Sequence, residues 1–168
     1  MVIDPVRRTV LIVFHSMTDG TRQMAAAAAA AGATAETLMR VSDAARTGPE
    51  DLLAADGYMF ATPENLGSMS GVMKDFFDRS YYGVLDRIVG RPYASLICAG
   101  SDGQGAARQI ERICTGLRLK QVAPALIVCT HAQTPEQILR AKHIDSKELA
   151  RCAEVAQGLA EGLALGIY

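Results

Sequence analysis

Short, nearly unbroken apolar runs alternate along this chain with longer segments of helical character. Residues 9–14 read Thr-Val-Leu-Ile-Val-Phe, with no polar side chain after the first. A strand without in-and-out alternation has both faces covered, as in the centre of a parallel sheet flanked by helices. Residues 57–61 and 94–99 repeat that pattern as strands three and four. Residues 34–39, with Glu36 inside, suit an edge strand, strand two. A fifth strand is expected over 125–129; Pro124 before it cannot donate to a ladder, which also fits an edge. Helices are expected over 23–31, 70–82, 105–119 and 146–165. The first contains seven consecutive alanines and stops at Gly32, so its small side chains allow close approach to a sheet.

Strands alternating with helices predict an α/β fold, a three-layer sandwich with helices on both faces of a five-stranded parallel sheet. Right-handed crossovers leave few topologies, and the order 2-1-3-4-5 puts the two weakest strands at the edges. In such a sheet ligands sit beyond the carboxyl ends of the strands, at the switch point between strands one and three. The loops after strands one, three and four should therefore carry the chemistry.

Composition narrows the partners. The 168 residues read as a single domain, 49% hydrophobic and 21% charged, with 17 basic against 18 acidic side chains. A net charge of −1 supplies no basic excess for phosphate backbones, so no nucleic acid partner is expected. The run 10–14 is too short to span a bilayer, and residues 1–8 lack a signal-peptide layout, so a cytoplasmic protein without a membrane partner is expected. Cys98, Cys114, Cys129 and Cys152 show no C-x-x-C spacing and read as reduced, mostly buried thiols, with no metal site.

The first loop, His15-Ser16-Met17-Thr18-Asp19-Gly20-Thr21, leads straight into a helix. Three hydroxyls at i, i+2 and i+5, with the free N–H groups of a helix N-terminus, can cradle a phosphate. The same residues also suit an ordinary cap, with Thr18 or Asp19 at the N-cap. No lysine follows, which excludes a nucleoside-triphosphate loop of the G-x-x-x-x-G-K-[ST] type. The second loop runs from Thr62 to Gly71 and the third is Gly100-Ser101-Asp102-Gly103-Gln104-Gly105. The third is a poor dinucleotide fingerprint, because Arg108 stands where a small residue is needed. All three loops on one sheet edge suit a planar ring with a phosphorylated tail.

These residues resemble the flavodoxin-like FMN proteins. The resemblance lies in the S-x-T-x-x-T loop of Ser16, Thr18 and Thr21, the T-P-x-x-x-G-x-M-S-G stretch of Thr62 to Gly71, and the Gly-rich loop after strand four. The second stretch is most similar to the quinone oxidoreductases related to the tryptophan repressor binding protein, and to NADPH-dependent FMN reductases. The resemblance implies FMN held at its phosphate by Ser16, Met17, Thr18, Asp19, Gly20 and Thr21. Thr62, Pro63, Glu64, Asn65, Leu66 and Gly67 would run along the ring to its N5 edge. Ala99, Gly100, Ser101, Asp102, Gly103 and Gly105 would flank its pyrimidine side. Asp19-Gly20 stands where the family commonly has Gly-Asn, so the Asp19 carboxylate should turn away from the phosphate. The chain has no tryptophan, so a Trp and Tyr sandwich around the ring is excluded.

The remaining polar residues have plainer readings. His15 fits a hydrogen-bonded strand end, and Glu64 and Asp102 fit solvated loop acids, although either could shuttle a proton. No Ser-His-Asp arrangement is present, and no side chain is expected to be catalytic in its own right. Phe76, Phe77, Tyr81 and Tyr82 are too many for one buried helix face, so Tyr81 or Tyr82 is expected to meet a second copy in a homodimer.

Two functions follow from the resemblance. One is an enzyme passing two electrons from NADH or NADPH through FMN to a small-molecule acceptor such as a quinone. The other is a non-catalytic electron carrier docking on redox partners. Such carriers are typically strongly acidic, and a net charge of −1 favours the enzyme. A phosphoacceptor receiver domain would need acids after strand one and an aspartate ending strand three, where His15-Ser16 and Ala61-Thr62 stand.

Overall fold

A computed structural model describes residues 7–168. The strands are β1 (Arg8–Phe14), β2 (Thr37–Asp43), β3 (Gly57–Asn65), β4 (Ser68–Met69), β5 (Pro92–Ala99), β6 (Lys120–Gln121) and β7 (Leu126–Cys129). The helices are α1 (Gly20–Gly32), α2 (Pro49–Ala54), α3 (Gly71–Val84), α4 (Gln104–Gly116), α5 (Pro135–Leu139) and α6 (Ser146–Ala164). The parallel sheet runs β2-β1-β3-β5, and its far edge is shared by β6 and β7, which pair successive parts of β5. The predicted order thus holds, with the fifth strand broken in two around Pro124. No helix among the described residues is long and apolar enough to cross a membrane.

Strand periodicity splits the core in two. On one face Leu11, Val13, Tyr58, Phe60, Tyr93 and Ile97 pack with Leu52 of α2, Met73, Phe76 and Phe77 of α3 and Ile110 of α4. On the other, Val10, Ile12, Met59, Ala61, Ala94 and Leu96 pack with Met24, Ala25 and Ala28 of α1 and Cys152, Ala156 and Leu159 of α6. The aromatic rings crowd the first face, with Phe60 and Phe77 centroids 5.0 Å apart, whereas the alanines of α1 let it press closely on the second. Tyr81 is half-buried against the first core, while Tyr82 is 84% exposed on the outer side of α3. Cys98, Cys114 and Cys152 are buried and all four cysteines are free.

Several boundaries depart from the sequence reading. Strand two begins at Thr37, because Thr34 Oγ1 accepts the N–H groups of Glu36 and Thr37 at 3.1 and 3.0 Å and spends 34–36 on a turn. Its far half, Arg40 to Asp43, is polar apart from the exposed Val41, because this edge strand is half-exposed. The helices α2 and α5 are absent from the expectations, being too short to show a 3.6-residue period. The stretch after Ala61 is not simply a loop. It continues β3 to Asn65 and turns back as β4, with Glu64 opposite Met69 and Asn65 opposite Ser68.

Candidate functional site

The loops after β1, β3 and β5 meet at the carboxyl edge of the sheet around a cleft of about 510 Å³. Its walls include Ser16, Met17, Thr18, Gly20 and Thr21 from the first loop. Pro63, Glu64, Asn65, Leu66 and Gly67 come from the hairpin, and Ala99, Gly100 and Ser101 from the end of β5. Cys98, Thr130, Ala132, Ile138 and Lys142 complete it and were not anticipated from the sequence. No aromatic side chain is among these walls.

At the first loop, the helical ladder of α1 starts with Gln23 N–H donating to Asp19 O at 3.2 Å. The N–H groups of Gly20, Thr21 and Arg22 therefore precede any intrahelical bond. Ser16 Oγ accepts the Arg22 N–H at 3.2 Å, which leaves its own O–H to donate elsewhere. Asp19 occupies the N-cap with φ 70°, but its side chain makes no capping bond. The carboxylate instead pairs with Arg22 Nε at 3.0 Å and accepts from Gln23 Nε2 at 3.2 Å, turned outward as a neighbouring anion would require. Thr21 Oγ1 is buried without a hydrogen-bond partner. The polar group beside it, the Cys98 thiol, is at best a weak partner, and burial pushes that thiol up to about 11.

An orphaned buried hydroxyl next to unpaired helix N–H groups fits a phosphate well, because burial without a partner costs free energy that such a ligand recovers. The strap of residues 130–145 closes over this end. Lys142 N–H donates to Thr18 O at 2.8 Å, and the Gln23 amide clasps both Lys142 O, at 2.8 Å, and Ile144 N–H, at 3.1 Å.

The β3–β4 hairpin forms the opposite wall. Leu66 and Gly67 have φ of 52° and 73°, the left-handed pair of a tight type I′ tip. Leucine is a poor residue there, yet its side chain is fully exposed at the cleft mouth with Met17 also exposed. Glu64 locks this hairpin to α4: its two carboxylate oxygens accept the N–H groups of Gly103 at 2.8 Å and Ala106 at 3.1 Å. It is a cap, not the solvated acid expected, and its engaged carboxylate is poorly suited to shuttling protons. Glu64→Ala should lower Tm by about 2–6 °C, since losing a cap costs about 0.5–2 kcal/mol. A thermal melt beside the unsubstituted protein checks this; an unchanged Tm would mean that the bonds contribute nothing.

Five of the residues assigned by resemblance do not line the cleft. Asp19 points outward, as described. Thr62 is fully buried, and its hydroxyl accepts Ser70 N–H at 3.1 Å and lies 3.2 Å from Ser70 Oγ, stitching β3 to the start of α3. Asp102 is exposed on the surface. Gly103 starts α4 at φ 85° with its N–H committed to Glu64, and Gly105 lies directly against the Gly67 carbonyl. The glycines at 103 and 105 therefore serve loop packing. His15 donates its backbone N–H to Ala61 O at 3.0 Å, and burial lowers its imidazole below the ordinary value, with Asp43 opposing.

A family model described as NADPH-dependent FMN reductase matches residues 32–133. A protein named flavodoxin from Aquifex aeolicus (strain VF5) is 33% identical over 97 residues, covering 57% of this chain and 50% of that protein. The match thus spans half the length of that curated relative. Among solved structures, a flavodoxin from the domain Archaea superposes with a TM-score of 0.76 at 17% identity, covering 92% of this chain and 98% of that one. A flavodoxin, WrbA-like protein from Agrobacterium tumefaciens gives 0.72 at 17% identity, covering 95% and 98%. At these identities the superpositions establish the flavodoxin-like fold.

Proposed function

Because the chain belongs to the NADPH-dependent FMN reductase family, we propose that it is an oxidoreductase using FMN to carry two electrons from NADH or NADPH to a small acceptor of the quinone class. Bound FMN would supply the redox chemistry, accepting hydride at N5, while the protein supplies orientation and electrostatics. The hydroxyls of Ser16, Thr18 and Thr21, with the N–H groups of Gly20 and Thr21, would hold its phosphate. Pro63 to Gly67 on one side and Ala99 to Ser101 on the other would flank its ring.

The observation that carries the enzyme reading is a cleft whose walls contain no aromatic side chain. Met17 and Leu66 stand exposed at its mouth, and among the described residues no aromatic side chain lines it to sandwich the flavin. Such walls would leave a face of a flat cofactor open to a second flat molecule, which donor and acceptor could occupy in turn. The second reading, an electron carrier, draws on the name of the Aquifex relative and on the fully exposed Leu66 as a docking contact.

A visible spectrum of the protein loaded with FMN, followed under anaerobic conditions with NADPH, NADH and then a water-soluble quinone, separates the two. Bleaching of the yellow band by a nucleotide and its return with quinone is the expected result. Flavin indifferent to both nucleotides, yet reduced by a partner reductase, would overturn the enzyme reading in favour of the carrier.

A further inference from the structure

Next to the cleft lies a second cavity of about 400 Å³ between the end of β7 and residues 130–148. The two cavities share Thr130, Ala132 and Lys142 in their walls, so the second adjoins the first as a trough. The charged groups of the second cavity differ in their partners. Asp145 caps α6 by accepting Glu148 N–H at 2.9 Å, and Glu148 is paired with Arg151 at 2.6 Å. Lys142 Nζ donates to the carbonyls of Gln137, Ile138 and Arg140 at 2.9, 2.8 and 2.6 Å. Arg140, His131 and His143 line the same cavity, and none has an ion-pair partner among the described residues. Arg140 is thus the cation of the trough whose guanidinium has no hydrogen bond or ion pair among the described residues, and it shares the wall with the carboxylates of Asp145 and Glu148, each of which keeps one oxygen free.

We propose that this trough is a phosphate-binding extension of the cleft, where Arg140, assisted by His131 and His143, takes a phosphate of the dinucleotide donor. The inference rests on the reading above that a nicotinamide dinucleotide is the donor. A dinucleotide with its nicotinamide over a flavin ring still carries a diphosphate and an adenosine. A cleft of about 510 Å³ that already holds FMN cannot enclose them. The chain's net charge of −1 offers no general attraction for those anions, so contiguous local donors are needed. Arg22, in the first turn of α1, is occupied by Asp19. Arginine's planar fork matches phosphate oxygens two at a time, and Arg140 is exposed, so its side chain can reach a ligand without repacking the core.

The test is an amide NMR titration of the FMN-loaded protein with 2′,5′-ADP, with ADP and with inorganic phosphate, none of which can transfer hydride. Shifts confined to 130–132 and 140–145 are expected with the nucleotides, with inorganic phosphate at least tenfold weaker. Arg140→Ala should raise the nucleotide Kd at least tenfold while the Kd for FMN stays within twofold, and Arg140→Lys should recover only part of the loss. Stronger binding of 2′,5′-ADP would assign the trough to a 2′-phosphate, and equal binding to the diphosphate. Silent amides in these segments, or phosphate alone binding as tightly as the nucleotides, would overturn the proposal. If the trough is silent while NADPH still bleaches the flavin, the inference falls and the proposed function stands. If the nucleotides bind there while neither NADPH nor NADH bleaches the flavin, the reductase reading falls and the phosphate site stands.

Discussion

Replacing Thr18 and Thr21 together by alanine is expected to weaken FMN binding at least a hundredfold. Each change removes a hydrogen bond to a charged acceptor, about 1.5–3 kcal/mol apiece, and tenfold in affinity is about 1.4 kcal/mol. The free protein should respond in the opposite sense at one of these positions. Thr21 Oγ1 is buried and unpartnered, so it burdens the chain until a ligand arrives. Thr21→Val keeps the shape of the side chain and removes that hydroxyl. It should raise the Tm of the FMN-free protein by about 2–6 °C, for roughly 1–2 kcal/mol recovered, while still lowering FMN affinity at least tenfold. Flavin fluorescence quenching reads the affinity, and melts of the FMN-free protein read the stability. Unchanged affinity in the double variant would place the phosphate elsewhere. A lower Tm for Thr21→Val would show that the hydroxyl is well bonded in the free protein.

Gly105→Ala, in the first turn of α4, should be strongly destabilising. A Cβ at Gly105 would overlap the Gly67 carbonyl oxygen, lie 2.9 Å from the carbonyl carbon and crowd Glu64 Oε2 at 3.3 Å. The first two are backbone atoms, so no rotamer change relieves them. The hairpin and α4 must separate, and with them go the Glu64 bonds that hold this wall of the cleft to α4. Overpacking of about 1–3 kcal/mol plus a lost cap of about 1 kcal/mol corresponds to a Tm lower by roughly 5–15 °C. FMN affinity should fall at least tenfold with it. Gly158→Ala in α6 is the control, because nothing lies within 4 Å of the added methyl. There a helix-interior glycine becomes alanine, which stabilises by about 0.4–1 kcal/mol. Equal melts for Gly105→Ala and the unsubstituted chain would mean that the hairpin tip moves freely and that its contact with α4 positions nothing.

These effects involve residues whose roles were legible to different degrees. The hydroxyl loop was readable because its donors are neighbours in sequence and sit where strand one must end. The hairpin was not, because Leu66 stands where a type I′ turn normally has Asn or Gly, and a two-residue strand has no period to detect. Glu64 looked like a solvated acid, since nothing near it in sequence indicates that Gly103 and Ala106 lie within bonding distance. The strap was equally hidden: Gln23 and Lys142 are 119 residues apart, and α5 between the strap's ends is five residues long.

Sequence pattern alone was enough to determine the layered fold, the order of its strands and the edge at which the cleft opens. Those features follow from apolar periodicity and helix-forming alanines, which act over a few residues at a time, and from the handedness of crossovers, which is common to all βαβ units. Tertiary structure alone decided which side chains close the cleft. The Glu64 latch, the Gly67 and Gly105 contact, the Lys142 strap and the Arg140 trough each join segments that meet only once the sheet has formed. Hydrogen bonds and contacts at such separations are selected by packing of the whole core and leave no signature in the neighbouring sequence.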